Sequence, residues 1–337
     1  MSTLAPPEPS ADSSAGTTSP RATWTYYVEI ARPDHWFKNV FMLAGVLLAY
    51  FYHFTDLKSV DWPTIVVALI ATCLAASSNY VINELLDAPF DRGHPVKKFR
   101  PVPSGKIKSW IAYAEWLALA AAALGVAALV NKPFVVATAS LLVMGCVYNI
   151  PPVRSKDLPY VDVLSESVNN PIRLALGWFA VAPQAVPPIS LIMAYWLIGA
   201  FFMATKRFAE FRSIGDHAVA GAYRRSFRHY DEERLLVSLF FYAGGSALFL
   251  GMFIIKYHLE LILAVPLIAG FFSYYMRVAL KTDSAVQNPE RLYRERGLMA
   301  YLAICLTVFI GLMFVQIPQL YDWLNVQQSS LPPLWRW

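Results

Sequence analysis

Charge is scarce in this chain. Only 15% of its 337 residues are Asp, Glu, Lys or Arg, against 57% that are hydrophobic. Length alone would admit two soluble domains, but a mean hydropathy of +0.43 belongs to a multi-span membrane protein. Cysteine is nearly absent as well. Cys73, Cys146 and Cys305 each fall inside an apolar run without metal-ligand spacing, which leaves them as small buried hydrophobes rather than a thiolate metal centre. Residues 1–22 hold no apolar core. Rich in Pro, Ser, Thr and Ala, they are expected to form a disordered tail and not a signal peptide. The pI near 9.0 would fit nucleic acid, except that the cations sit in loops between apolar runs. The expected partner surface is therefore the lipid bilayer, with no nucleic acid.

Apolar runs are plentiful. Nine spans are expected, near 39–54, 62–87, 109–130, 134–150, 163–183, 188–206, 235–255, 259–280 and 297–318. Trp24 to Asn39 reads as an interfacial helix leading into the first of them. Trp62, Trp110, Trp196, Trp335 and Trp337 suit interfacial belts. The fold expected is all-α, about nine transmembrane helices around a central cavity, with residues 23–320 as one domain and 321–337 as a short tail. Of the 28 Lys and Arg, 23 fall in the N-terminal region and in the loops 88–108, 151–161, 206–234 and 277–296. Lys58, Lys132, Lys256 and Arg336 lie on the other side, and Arg173 lies within a span. The positive-inside rule then places the N-terminus, the long loops and the cavity mouth on the cytoplasmic side of the cell membrane.

The richest polar stretch is NYVINELLDAPFDRGHPVKKFRP, residues 79–101. Asn79, Asn83 and Asp87 are four apart and share a helical face, and Asp91 follows four further on. Pro89 argues against one regular helix carrying all four. Carboxylates and amide oxygens at a membrane edge suit Mg²⁺, which takes few protein ligands and keeps positions for phosphate oxygens. Asn83, Glu84, Asp87 and Asp91 are the expected metal ligands. His94, Lys97, Lys98 and Arg100 follow, and Lys97 and Arg100 are expected to hold phosphate charge. The bland alternative is a solvated helix end, against which stands the cost of placing acids inside a membrane.

Two more constellations follow. In residues 148–173, paired prolines break a span after Tyr148, and Arg154 and Lys156 occupy the short loop. Asp162, Glu166, Asn170 and Arg173 then form one polar stripe running into a span. Such a stripe faces a cavity and substrate, or it pairs internally, with Arg173 neutralised by Glu166 or Asp162. In residues 204–236, Lys206 and Glu210 share a face with Arg207 beside them, at the end of a span. Arg224, Arg225, Arg228 and Arg234 read as a basic loop touching anionic lipid.

Asn83-Glu84-x-x-Asp87-x-x-x-Asp91 followed by Arg100-Pro101 resembles the first aspartate-rich motif of the UbiA-type intramembrane prenyltransferases, with Glu84 where that family usually has Asp. His94-Pro95-x-Lys97-x-x-Arg100-Pro101 looks closer to one branch, the polyprenyl-phosphate (decaprenyl-phosphate) phosphoribosyltransferases. Tyr148-x-x-Pro151-Pro152-x-Arg154-x-Lys156 resembles the tyrosine and lysine motif that follows the family's fourth helix. Family members acting on aromatic acceptors carry a second aspartate motif; here Asp216 stands alone there, with Lys206-Arg207-x-x-Glu210 at its head, as in the phosphoribosyl branch.

The resemblance implies a Mg²⁺-dependent transferase acting on a polyprenyl substrate. Its most specific form moves phosphoribose from phosphoribosyl pyrophosphate to a polyprenyl phosphate. Asp87, Asp91 and Lys206 are then the expected catalytic residues. Asn79, Lys97, Arg100, Tyr148, Arg154, Lys156, Asp162, Glu166, Arg173, Arg207 and Glu210 are expected to bind substrate, with Lys206 and Arg207 clamping the ribose 5-phosphate. The acidic-pair signature of soluble phosphoribosyltransferases is absent. The alternatives are transfer of a prenyl group from a prenyl diphosphate to an aromatic or other small acceptor and, from another class, a polytopic transporter.

Overall fold

The computed structural model describes residues 23–53, 61–92, 97–282, 284–287 and 289–326. The expected disordered tail at 1–22 and the expected positions of Lys58, His94 and Trp335 lie outside the described residues. Helix α1 (Thr23–Ala31) leads through a 3-10 segment, Pro33–Phe41, into α2 (Met42–His53). Then follow α3 (Trp62–Asp91), α4 (Ser109–Ala128), α5 (Lys132–Asn149), α6 (Val161–Ser167) and α7 (Asn169–Val181). The second half comprises α8 (Ile189–Ile214), α9 (His217–Tyr223), α10 (Glu232–Tyr257), α11 (Val265–Ala279), α12 (Arg296–Met313) and α13 (Pro318–Trp323).

Among the described residues, seven helical stretches are long and apolar enough to cross a membrane: α3, α4, α5, α8, α10, Leu259–Ala279 and α12. The spans expected at 39–54 and 163–183 are built instead from shorter pieces, Pro33–Phe41 with α2 and α6 with α7. Pro171 accounts for the second break. It has no N–H to offer the Ser167 carbonyl, so the helix stops and restarts. Pro89 does less than its position in the sequence implies. Helix α3 continues through it to Asp91, so Asn79, Asn83, Asp87 and Asp91 do ride on one helix. The proline falls in the last turn, where a single backbone bond is forfeited, and Arg92 N still reaches the Ala88 carbonyl at 3.2 Å.

Capping fixes where several helices begin. Asp61 accepts from Thr64 N at the head of α3, Asn131 from Phe134 N at the head of α5, and Asp231 from Arg234 N at the head of α10. Helix α3 packs on α4 and α5, α2 on α7, α6 on α8, and α8 on α10. At the α2–α7 crossing the backbones touch. A Cβ on Gly45 would stand 1.9 Å from the Leu174 carbonyl oxygen, and one on Gly177 would stand 1.9 Å from that of Met42. The apolar core spreads from this crossing through Trp178, Phe134 and Leu141. It leaves the polar side chains gathered at one end, where α3, α5 and α8 finish.

Candidate active site

Helical spacing carries the first constellation. Asp87 lies on the α3 face that also holds Asn79 and Asn83. Its Oδ1 accepts from Arg154 Nη2 at 2.9 Å and from Lys156 Nζ at 2.5 Å. Lys156 also donates to Asn149 Oδ1 at 2.8 Å, and the same oxygen accepts from Asn83 Nδ2 at 2.6 Å. Asn149 thus ties the α3 stripe to the loop after α5. Asp91 accepts from Arg100 Nη1 at 2.9 Å, with Lys97 at 4.0 Å. Glu84 points elsewhere. It is 4% exposed and accepts from Val102 N at 3.2 Å, which anchors the loop that carries Arg100. Deeper on α3, Asn79 Nδ2 donates to the Leu141 carbonyl, close against Gly145.

Above Asp87 opens a cavity of about 500 Å³. Of the residues expected to act, Asp87, Asp91, Lys97, Arg154 and Lys156 line it. So do several that the sequence reading did not place at the site, notably Phe90, Asp157, Tyr223, Arg224 and Arg225. The guanidiniums of Arg154 and Arg225 each sit 4.9 Å from the Phe90 ring, and both reach Asp157, at 3.1 and 3.2 Å. Arg224 and Arg225, which the sequence assigned to a lipid-facing loop, are cavity residues. Burial pulls the Lys97 and Lys156 ammonium groups below the usual lysine range, and Asp91 and Asp87 respectively pull back against it.

Six of the other expected residues form a second network, centred on Arg207. Arg207 is 2% exposed and meets three carboxylates: Glu166 at 2.6 Å, Glu210 at 3.2 Å and Asp162 at 3.6 Å. Glu166 also accepts from the Tyr148 hydroxyl at 2.9 Å, and Lys206 stands 3.8 Å from Glu210. Asp162, fully buried, accepts from Tyr230 Oη at 2.7 Å and Ser226 Oγ at 3.1 Å, and lies 3.4 Å from Arg224 Nη1. Arg207, Lys206, Glu210, Tyr148, Asp162 and Glu166 do not line this cavity, although the Glu166 and Lys206 side chains remain 31% and 25% exposed. Arg224 is the link between the two. Arg173 does not pair with Glu166 or Asp162, as internal neutralisation would require. Glu166 lies two helical turns away across the break at Val168, and both acids are already committed. Its Nε instead donates to Asn39 Oδ1 at 3.0 Å.

Residues 39–302 match the UbiA prenyltransferase family. The chain is 33% identical over 192 residues to a decaprenyl-phosphate phosphoribosyltransferase of Mycolicibacterium smegmatis, covering 54% of this chain and 56% of that one. It is 30% identical over 207 residues to the protein of that name from Mycobacterium tuberculosis (strain CDC 1551 / Oshkosh), covering 60% and 65%. The matches thus span less than two thirds of either relative. In three dimensions the chain is similar to a UbiA homologue of Archaeoglobus fulgidus bound to GPP and Mg²⁺, with a TM-score of 0.63 and 20% identity. That comparison covers 86% of this chain and all of the archaeal one. An all-helical multi-pass fold, acids on the α3 stripe, and a family match that runs from the first span into α12 agree with one another. The chain belongs to the UbiA prenyltransferase family.

Proposed function

We propose that this protein transfers a 5-phosphoribosyl group from phosphoribosyl pyrophosphate to a polyprenyl phosphate, in a cavity that opens to the cytoplasm. The observation that carries this reading is the disposition of charge. Arg207 occupies the acids Asp162, Glu166 and Glu210, and in the loop where an aromatic prenyltransferase carries its second aspartate motif Asp216 stands alone, its Oδ1 capping the helix that follows through Ala218 N and Val219 N. The cavity meanwhile sets Lys97, Arg154, Lys156, Arg224 and Arg225 against Asp87, Asp91 and Asp157. That surplus of cations fits a donor with a phosphate at each end. The names of the two mycobacterial relatives support the same reading. The cytoplasmic placement rests on the basic loops that frame the cavity.

The donor set at the cavity fits a hard divalent cation. Both cations on Asp87 use Oδ1, so Oδ2 keeps its lone pairs among the described residues. Asp91 is hydrogen-bonded only through Oδ2 among the described residues. Two carboxylates completed by substrate phosphates are a usual Mg²⁺ arrangement. Asp87 and Asp91 would hold the ion, with Asn83 as a neighbouring oxygen donor, whereas Glu84, expected as a ligand from the sequence, is turned to Val102 N instead. When bound, Mg²⁺ would draw charge from the leaving pyrophosphate.

The chain's own residues supply the rest. Arg154, Lys156 and Lys97 neutralise the pyrophosphate as the bond from the anomeric carbon to its oxygen breaks and the electron pair leaves with it. An oxygen of the acceptor phosphate forms the new bond to that carbon. The acceptor enters as a dianion, so no proton needs to be removed. Arg224 and Arg225 clamp the ribose 5-phosphate, the task sequence alone gave to Lys206 and Arg207. Asp162 holds Arg224 in place, and Arg225 stacks on Phe90.

The test is a coupling measurement. Arg224→Gln and Arg225→Gln should each lower donor efficiency by roughly one to two decades, since each 1.36 kcal/mol is tenfold. A donor analogue without the 5-phosphate should react poorly with wild type and be indifferent to both changes, because neither variant loses a contact that this donor makes. Equal damage to both donors would contradict the assignment.

A further inference from the structure

A charge inside the membrane remains outside this scheme. Arg173 sits in α7, flanked by α3 and the Pro33–Phe41 segment, and no carboxylate pairs with it among the described residues. The ionisable groups facing it are Tyr80, Tyr195 and Cys73. Its Nε donates to Asn39 Oδ1, and Asn39 is held in turn by Cys73 Sγ at 3.3 Å. Nη1 and Nη2 make no hydrogen bond among the described residues, yet the side chain is only half-buried. A guanidinium has five N–H donors, of which one is used here. A permanent cation at this depth is costly without an anion, and the neighbours supply none. Every comparable cation at the cavity, by contrast, has a carboxylate partner or a ring beside it.

Depth and charge together identify the missing anion. Tyr80 lies two turns before Asp87 on α3, on the order of 10 Å further from the cationic end. A phosphate that reached Arg173 would therefore lie on the membrane side of the donor's anomeric carbon, with the pyrophosphate on the other. A single cation with two phenols nearby suits one phosphate group rather than two. A lipid tail can stay in the bilayer while its head reaches this depth. We propose that Arg173 binds the monophosphate head of the isoprenoid acceptor, separating acceptor from donor by one cation on α7. The inference rests on the phosphoribosyl reading above, and its test is read in binding rather than turnover.

Farnesyl monophosphate and farnesol are the probes, titrated onto full-length protein in detergent without donor. Wild type should prefer the phosphate over the alcohol. Arg173→Gln should cut that preference roughly ten- to a hundredfold, as loss of a charge-assisted bond does, and Arg173→Lys should keep part of it. Asn39→Asp gives an independent check, since it places a carboxylate against the guanidinium and leaves the arginine in position. It should abolish the preference without removing the cation, and it answers the question even if Arg173→Gln fails to fold. Binding of phosphoribosyl pyrophosphate should be unchanged in every variant. The proposal is overturned if wild type binds both probes alike or if Asn39→Asp keeps the preference. It is overturned as well if inorganic phosphate displaces the probe at equal concentration, which would mark a free-phosphate site. A phosphate preference that maps to Arg173, together with no transfer from phosphoribosyl pyrophosphate, would leave this site standing and remove the reaction assigned above.

Discussion

Arg224 lines the cavity while its guanidinium lies 3.4 Å from the carboxylate of Asp162, which has no exposed surface. The contact joins a surface-reaching loop to a buried charge network, so the position of the cavity cation depends on a residue outside the cavity lining. Asp162→Asn should raise the donor KM more than it lowers kcat, because it loosens Arg224 without touching the pyrophosphate end. Steady-state kinetics on the purified protein reads this split directly; a fall in kcat at constant KM would place Asp162 in the chemistry instead.

Arg207 should behave as a structural residue. Removing it takes the shared cation from three carboxylates and leaves them only their weaker partners, and breaking a buried ion pair costs about 3–5 kcal/mol. Arg207→Gln is therefore expected to lower the melting temperature in detergent, whereas Arg225→Gln, at a side chain 54% exposed, should leave it almost unchanged.

Much of this site was legible beforehand. The spacing of Asn79, Asn83, Asp87 and Asp91 on one helical face is a local property that chain periodicity records. The place of Arg154 and Lys156 in the short loop after Tyr148 was legible as well, though their pairing with Asp87 was not. Other features were not legible. Arg225 meets Asp157 and Phe90, and Arg224 meets Asp162, across more than 60 residues of intervening chain, and in sequence a basic loop that folds over a cavity is indistinguishable from one that lies on lipid. The partner of Arg173 is an asparagine 134 residues away, with no charge to announce it. Pro89 misled for a different reason, since its effect depends on its distance from the helix end rather than on its presence.

Lys97 and Lys156 predict one trend with pH for stability and the opposite trend for donor affinity. Lys97 and Lys156 have native pKa values below the ordinary 10.5. Below the native value both are charged and the fold bears a desolvation cost; as pH rises from the native value towards 10.5, that cost is relieved. Donor affinity moves the other way, because it needs the charge. The alkaline limb of kcat/KM should thus begin below 10.5, and Lys97→Arg should shift it upward. A limb that stays in place would remove Lys97 from the titration.

Chelation provides a test of the acids. EDTA should abolish turnover and Mg²⁺ should restore it, while Asp87→Asn should lose roughly two to three decades of efficiency with the protein still inserted and folded. Full activity in EDTA would contradict the metal assignment.

The α2–α7 crossing predicts a sharp contrast between glycines. Gly177→Ala drives a methyl into the Met42 carbonyl, whereas Gly244→Ala meets nothing within 4 Å. The first should cost about 1–3 kcal/mol or more and the second almost nothing, read as thermal stability in detergent.

The central claim is that phosphoribose, and not a prenyl group, is what moves. Purified protein should be given Mg²⁺, a polyprenyl phosphate and phosphoribosyl pyrophosphate labelled in the ribose, and in a parallel reaction a labelled prenyl diphosphate with a small aromatic acceptor. The account predicts ribose label in the lipid fraction of the first reaction and no prenylated aromatic in the second. Label transferred only from the prenyl diphosphate would contradict it.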